Sequence, residues 1–278
     1  MSTVLVNGHV TDQLSIKDRG LNYGDGVFET IAVSGRHLHY WSEHFRRLKQ
    51  GCERLAIKAP LEAELLADIK KLSFPNEPSV LKIVVSRGQG GRGYAATGIE
   101  QASVIISLNS WPDFVLEYQQ RGVNVRICQH RLMINPALAG IKHLNRLDQV
   151  LARNEWHNDQ IHEGIMLDQH DYLIEGVSTN LFVMVNNQWL TPAVTDCAVA
   201  GIMRELILNK AELIKLKIEQ RKIQLSELSS VQQMFVCNSI WGIVPVTGCG
   251  SYRFEIGNDC RQLQTEINKE KNAVSYVV

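Results

Sequence analysis

The spacing of apolar positions along this chain changes several times, and each change marks an element. Near the N-terminus, TVLVNG and GVFETIAVSG read as strands ended by glycine turns. SEHFRRLKQGCERLAI instead places Phe45, Leu48, Cys52 and Leu55 on one helical stripe, with Ser42 as the expected N-cap. LEAELLADIKKLSF predicts a second helix, and SVLKIVVSRG and ASVIISLNS return to strand. The former is a near-continuous apolar run of the kind buried on both faces. Proline and polar residues in SWPDFVLEYQQRG mark a crossing between domains. VNVRICQHR then predicts a strand, and Leu144, Leu147, Val150 and Leu151 recur at helical spacing, predicting an amphipathic helix to about His157 with Lys142 just ahead of it. GIMLDQHDYLIEG predicts two strands around a polar turn at Gln169 to Asp171, and TNLFVMVNNQWLTP a hairpin turning at Asn186 and Asn187. AGIMRELILNKAELI is an amphipathic helix, QQMFVCNSI a buried strand and RQLQTEINKEK a closing helix. The expected fold class is α/β (α+β) in two domains: a small N-terminal α/β domain over 1–112, a linker over 113–121 and a larger, sheet-rich domain over 122–278.

Composition narrows the partners. Lys plus Arg and Asp plus Glu both total 29, so no global field draws nucleic acid or an anionic membrane, and a small molecule is the expected partner. The six cysteines are scattered without a C-x-x-C pair, which favours reduced thiols in the cytoplasm over a disulfide framework. MSTVLVNGHVTD lacks the basic and apolar regions of a signal peptide, and no stretch approaches the roughly 20 apolar residues of a membrane span.

Candidate chemistry gathers in the second half. Lys142 precedes a helix start, where the helix dipole disfavours an ammonium and lowers an amine's pKa. A solvated lysine and a nucleophilic one both fit that position, because only the neutral amine attacks a carbonyl. In VAGIMREL a glycine precedes a helix, leaving its first backbone N–H groups to an anion. EGVSTN adds the Ser178 and Thr179 hydroxyls and the Asn180 amide, and CNS adds Asn238 and Ser239. Each alone reads equally as a turn or a cap. Glu175 ends the apolar strand YLIE before a glycine, where a partly buried carboxylate must find a partner, either a structural arginine or a ligand cation. A lysine, a helix-end anion site and a buried acid together meet the needs of pyridoxal 5'-phosphate.

DRGLNYGDGVFET, HFRRL, the lysine stretch, EGVSTNLF, GIMR and CNSIWGIVPV stand in the order seen in the fold-type IV pyridoxal-phosphate enzymes, the class IV aminotransferase family, which the chain resembles over nearly its whole length. Within that family, RGQGGRGY with NPALAGIKHLNRLDQV looks like the lyases that cleave aminodeoxychorismate. The resemblance implies that Lys142 carries the cofactor and moves the proton, while Glu175 faces the ring nitrogen. It implies that Arg47 binds the phosphate with the Ile202 and Met203 amides and the Ser239 hydroxyl, and that Ser178, Thr179 and Asn180 line the cofactor's other side. The family often has a threonine where Met203 stands, so a hydroxyl is lost there. A tyrosine usual near the phenolic oxygen is also missing, and Arg146 is the candidate for its role.

The implied substrate is a cyclohexadiene with an amine, a ring carboxylate and an enolpyruvyl ether, for which Arg92 and Tyr94 of GGRGY are candidate contacts. A glycine turn with a solvated arginine fits the same residues. Thr30 is expected to point toward the cofactor, and His143 reads either as a general acid or as a packed, neutral imidazole. The histidines show no metal spacing. A homodimer is also implied, with the active site at the boundary of the two domains and walled partly by the second subunit. The competing readings are a D-amino-acid or branched-chain aminotransferase of the same fold and a phosphate-binding module without chemistry. The latter lacks the lysine followed by Ser or Thr of a P-loop.

Overall fold

In a computed structural model of the chain, residues 3–90, 93–96, 98, 101–271 and 274–278 are described. Two compact units divide it: Met1–Pro112, Ile141–Asn145 and Lys271–Val278 form the first, and Asp113–Gly140 with Arg146–Glu270 the second.

The first unit contains β1 (Val4–Val6), β2 (His9–Val10), α1 (Arg19–Tyr23), β3 (Gly26–Ser34), β4 (His37–His39), α2 (Trp41–Arg54), α3 (Glu62–Ile69), β5 (Ser79–Ser86) and β6 (Ser103–Ser110). With the C-terminal strand β17 (Ser275–Val277), the strands form a sheet of order β17-β4-β3-β5-β6-β1-β2, antiparallel throughout. In β3 the positions Val27, Glu29, Ile31 and Val33 are buried, whereas Phe28 and Thr30 are half-buried. That alternation directs one face of β3 to α2, which packs on it and buries Trp41, His44, Leu48, Gly51 and Cys52. β5 is exposed only at Lys82, opposite Thr30 in the ladder: Leu81, Ile83 and Val85 are buried on one face, and Val80 and Ser86 on the other. Ser42 is not the N-cap of α2. The cap is the left-handed Tyr40 (φ 54°), because Trp41 enters the core at the first helical position and its indole N–H donates to Glu62 Oε1 at 2.7 Å.

The second unit contains α4 (Val115–Arg121), β7 (Val123–Leu132), α5 (Leu147–Arg153), β8 (Glu163–Asp168), β9 (Tyr172–Gly176), β10 (Asn180–Val185), β11 (Gln188–Pro192), α6 (Ile202–Leu213), β12 (Ile218–Arg221), β13 (Ile223–Gln224), β14 (Val231–Asn238), β15 (Gly242–Cys249), β16 (Tyr252–Arg253) and α7 (Asn258–Lys271). Its sheet runs β12-β11-β10-β14-β15-β7-β8-β9-β13, with β16 paired to β15. β7 lies parallel to both β15 and β8, and β11 parallel to β12, which makes the sheet mixed. Val125, Ile165, Leu181, Val183, Val236 and Val244 form its central cluster. Phe182 and Phe235 stack at 4.6 Å between centroids, and the Trp189 indole N–H donates to Asp259 of α7 at 3.0 Å.

Three further expectations change. Residues 113–121 contain a helix, since Phe114, Tyr118 and Trp241 form a ring cluster that holds α4 to the second unit. Segments 141–145 and 271–278 join the first unit through pairings with β3 and β4. The helix after Lys142 begins only at Leu147 and ends at Arg153, with Leu144 outside it. Leu147, Val150 and Leu151 are 75%, 50% and 53% exposed, so the apolar stripe of α5 faces outward and Ala152 is the buried residue. The Phe182–Phe235 stack yields a stability test. Phe182→Ala should lower the unfolding free energy by about 3–5 kcal/mol in urea denaturation; a loss under about 1 kcal/mol would show that the stack relaxes without leaving a cavity.

Candidate active site

On the first unit, residues 141–145 extend the ladder of β3. The Phe28 N–H donates to the Lys142 carbonyl at 3.0 Å, and the Leu144 N–H to the Gly26 carbonyl at 2.9 Å. Lys142 is half-buried, and its Nζ stands 4.2 Å from the centroid of the Phe28 ring. Lys142 thus occupies an extended segment, and the helix-dipole argument does not apply to it, because the first turn of α5 starts at Leu147. For the same reason His143 is not at a helix N-terminus; it is half-buried and bridges Val27. Thr30 is half-buried two positions beyond Phe28 on β3.

Arg47, expected as a phosphate ligand, is gripped by a buried acid that sequence reasoning missed. Its Nε donates to Glu29 Oε1 at 2.8 Å and its Nη2 to Oε2 at 2.6 Å, while His44 Nδ1 lies 2.6 Å from the same Oε2. Glu29 is 1% exposed. Burial alone would raise its pKa, but the Arg47 charge and His44 outweigh burial and hold it at about 2. Burial lowers the pKa of His44, against the pull of Glu29; the charges of Arg47 and Lys142 lower it further. A signal for the cluster existed: an acid at an inward strand position, with His44 and Arg47 spaced i, i+3 on the facing helix. Tyr94 is 87% exposed on the glycine loop, and Arg92 lies outside the described residues.

The second unit builds a separate set of donors and acceptors. Glu175, at the end of β9, is 4% exposed, and its Oε2 accepts the Val199 N–H at 2.9 Å. The Val199 carbonyl in turn accepts the Asn180 amide at 3.0 Å. Gly140, two residues before Lys142 in the chain, is bonded on both sides of Val199: its N–H donates to the Ala198 carbonyl at 2.9 Å and its carbonyl accepts the Ala200 N–H at 3.2 Å. α6 starts after Gly201, which has extended geometry, and no side chain caps it. A Cβ on Gly201 would lie 1.8 Å from Asn180 Oδ1, so only glycine permits this close approach. The Ile202 and Met203 side chains are buried, which leaves their main-chain N–H groups as their polar contribution at the helix start.

The Ser178 and Thr179 hydroxyls, expected to line a cofactor, donate to Glu163 Oε2 at 2.6 and 3.3 Å. Glu163 also accepts the Ser178 and Gly164 N–H groups at 3.1 and 2.9 Å. Burial raises its pKa despite these donors. Asn238 ties the neighbouring turn to this one: its amide donates to the Ser178 carbonyl at 3.2 Å and its Oδ1 accepts the Ile240 and Trp241 N–H groups at 2.9 and 2.6 Å. Ser239 is half-buried on that turn. Arg146 is half-buried at the N-cap position of α5. The expected residues divide between the units: Thr30, Arg47, Tyr94 and Lys142 belong to the first, and Arg146, Glu175, Ser178, Thr179, Asn180, Ile202, Met203 and Ser239 to the second.

Residues 26–249 match the family described as amino-transferase class IV, and the chain belongs to that family. It is 34% identical over 267 residues to an aminodeoxychorismate lyase from Vibrio harveyi, covering 95% of this chain and 98% of that protein. A solved 4-amino-4-deoxychorismate lyase from Pseudomonas aeruginosa is 39% identical, with a TM-score of 0.89 and coverage of 96% of this chain and 98% of that one. A D-alanine aminotransferase from Bacillus licheniformis is 28% identical over 88% of this chain and 87% of its own length.

The depressed pKa of Glu29 gives an acid-stability test. The stabilisation it brings is complete above its ordinary value of 4.5 and is lost as pH falls toward about 2. Glu29→Gln should cost on the order of 3 kcal/mol of unfolding free energy at neutral pH, and the gap from wild type should close across that interval. A gap that stays constant with pH would show that Glu29 acts through packing alone.

Proposed function

We propose that this chain is a pyridoxal-phosphate-dependent lyase converting 4-amino-4-deoxychorismate to 4-aminobenzoate and pyruvate, a step in folate biosynthesis. The observation that carries the reading is full-length likeness to lyases at 34% and 39% identity, against 28% for a D-alanine aminotransferase. The residues fit the cofactor: the helix start at Gly201 has no side-chain cap, and Glu175 is a buried acid at a strand end. Arg47, the Ile202 and Met203 amides and the Ser239 hydroxyl are the phosphate ligands in this reading, and Ser178, Thr179, Asn180 and Arg146 line the remainder. When bound, pyridoxal phosphate supplies an aldehyde that takes up an amine and a protonated ring that withdraws electrons from the adjacent carbon.

Glu175 would face the ring nitrogen of the bound cofactor, where a carboxylate would favour the protonated ring by the attraction of opposite charges. Lys142, as a neutral amine, is the base that takes the proton from the substrate carbon bearing nitrogen. Held in near-attack geometry, such a base contributes on the order of 7–11 kcal/mol. Loss of that proton allows the enolpyruvyl C–O bond to break with its electron pair leaving on oxygen, and aromatisation of the ring draws the elimination forward. Thr30, Arg92 and Tyr94 are the proposed substrate contacts.

The reading includes a homodimer in the cytoplasm. All six cysteines are unpaired, which suits a reducing compartment. The exposed Leu147, Val150 and Leu151 on α5 support a covered face, with a second copy of this chain as the cover. Among the described residues no helix is long and apolar enough to cross a membrane.

Incubation with aminodeoxychorismate should release pyruvate and 4-aminobenzoate in equal amounts. Ready conversion of D-alanine or branched-chain amino acids to keto acids, without pyruvate release from aminodeoxychorismate, would replace this reading with that of an aminotransferase. Glu175→Gln should retain cofactor absorbance while turnover falls on the order of 100-fold. Near-normal turnover would show that Glu175 does not support the electron sink.

A further inference from the structure

Arg19 is 4% exposed, and its guanidinium reaches across the first unit to the glycine loop. Nη1 donates to the Gly93 carbonyl at 3.0 Å and to the Ala95 carbonyl at 3.5 Å, and Nη2 donates to the Tyr94 carbonyl at 3.0 Å. Three successive carbonyls converge on one cation. A loop does not hold that arrangement by itself, because the carbonyl dipoles repel one another unless a positive group lies among them. The planar guanidinium also lies over the Tyr23 ring at 4.7 Å, and Tyr23 meets the Tyr94 ring edge-on at 5.5 Å.

A buried arginine needs a counter-charge, and Asp25 provides it. Arg19 Nε donates to Asp25 Oδ2 at 2.9 Å. Arg87 holds the same carboxylate from its other side, through Nε to Oδ2 at 2.7 Å and Nη2 to Oδ1 at 3.0 Å. Arg87 is itself fixed by the Leu55 and Ala56 carbonyls at 2.7 Å each. The backbone of Arg19 is anchored as well. Its N–H donates to the Gly88 carbonyl at 2.9 Å, and the neighbouring Asp18, fully buried, accepts the Gly20 N–H and the Ser86 hydroxyl at 2.8 Å each. One residue therefore joins the entry of the loop to its far side, while the Tyr94 side chain projects outward.

We infer that Arg19 is a positioning residue for substrate recognition: with Asp25 as its counter-ion, it sets the backbone of residues 93–95 and hence the direction of the Tyr94 side chain. The inference rests on the proposed contact between Tyr94 and the substrate. Lysine cannot replace it. An ammonium is a point charge, whereas four acceptors in different directions require the fork of a guanidinium.

The test uses the cofactor-loaded enzyme with Arg19→Lys, Arg19→Met and, separately, Tyr94→Ala, measuring hydrogen exchange of the peptide covering residues 93–96, cofactor absorbance and steady-state kinetics. The Lys variant keeps a cation beside Asp25 should the Met variant fail to fold. Exchange at 93–96 should rise at least about tenfold in Arg19→Lys, as expected for the loss of several charge-assisted hydrogen bonds. KM for aminodeoxychorismate should rise on the order of tenfold, with kcat and absorbance little changed, and Tyr94→Ala should reproduce the KM effect. Unchanged exchange in Arg19→Lys would overturn the clamp whatever the kinetics. Faster exchange with KM unaltered, while Tyr94→Ala raises KM, would overturn the positioning role. An unaltered KM in Tyr94→Ala would remove the link to substrate. If the wild type releases no pyruvate from aminodeoxychorismate, the lyase reading fails, and exchange at 93–96 alone decides whether Arg19 sets the loop.

Discussion

The backbone pairing of residues 141–145 with the start of β3 fixes Lys142, the amine to which the proposed chemistry is assigned. Two main-chain hydrogen bonds, Phe28 to Lys142 and Leu144 to Gly26, hold Lys142 beside β3 with its side chain over the Phe28 ring. The pairing requires glycine at position 26, where a Cβ would lie 2.5 Å from the Val85 carbonyl oxygen and 2.7 Å from Leu144 Cδ1. On its other side the same stretch of chain is fixed at Gly140, which bonds to Ala198 and Ala200 around the residue that donates to Glu175. The Val199 N–H thus holds the Glu175 carboxylate while its neighbours Ala198 and Ala200 hold the backbone of Gly140. Backbone bonds are a firmer support than side-chain packing, because each group must be paired wherever it is buried.

Within each unit carboxylates hold the polar side chains in place, and each takes its protonation behaviour from its donors. Glu29 is held ionised by the bidentate Arg47, whose charge outweighs desolvation. Glu163 is equally buried, but its hydrogen-bond donors are hydroxyls and amides, and there desolvation prevails and the pKa rises. Asp25 sits between two arginines and follows Glu29. The difference follows from elementary electrostatics: a full charge a few ångströms away competes with burial, and a set of neutral dipoles does so only in part. Glu29 holds two residues of α2, Glu163 the Ser178–Thr179 turn, and Asp25 the arginine that reaches the glycine loop.

Much of the fold was legible in the sequence because strand alternation and turn chemistry are local. The Asn186–Asn187 hairpin turn has both residues at positive φ, 51° and 59°, as asparagine permits, and the burial of Glu175 followed from its place at the end of an apolar strand. What remained hidden depends on partners distant in sequence. Periodicity showed that α5 has an apolar face but not what covers it, and Leu147, Val150 and Leu151 are exposed. Helical spacing also drew Leu144 into that helix, although its backbone pairs with Gly26 instead. Ser178 and Thr179 were recognisable as polar strand-end residues, yet their attachment to Glu163 depends on a strand begun 15 residues earlier. Arg19 and Asp25 carried no local signal of the loop they hold, which lies more than 70 residues away from Arg19 in the chain.

Reduction of the pyridoxal-phosphate-loaded protein with borohydride, followed by peptide mass mapping, tests the role of Lys142 most directly. The phosphopyridoxyl group should be found on the peptide containing Lys142. The informative competitor is Lys82, whose Nζ also approaches the Phe28 ring, at 5.8 Å. A phosphopyridoxyl group on Lys82, or on any other lysine with Lys142 unmodified, would contradict the assignment.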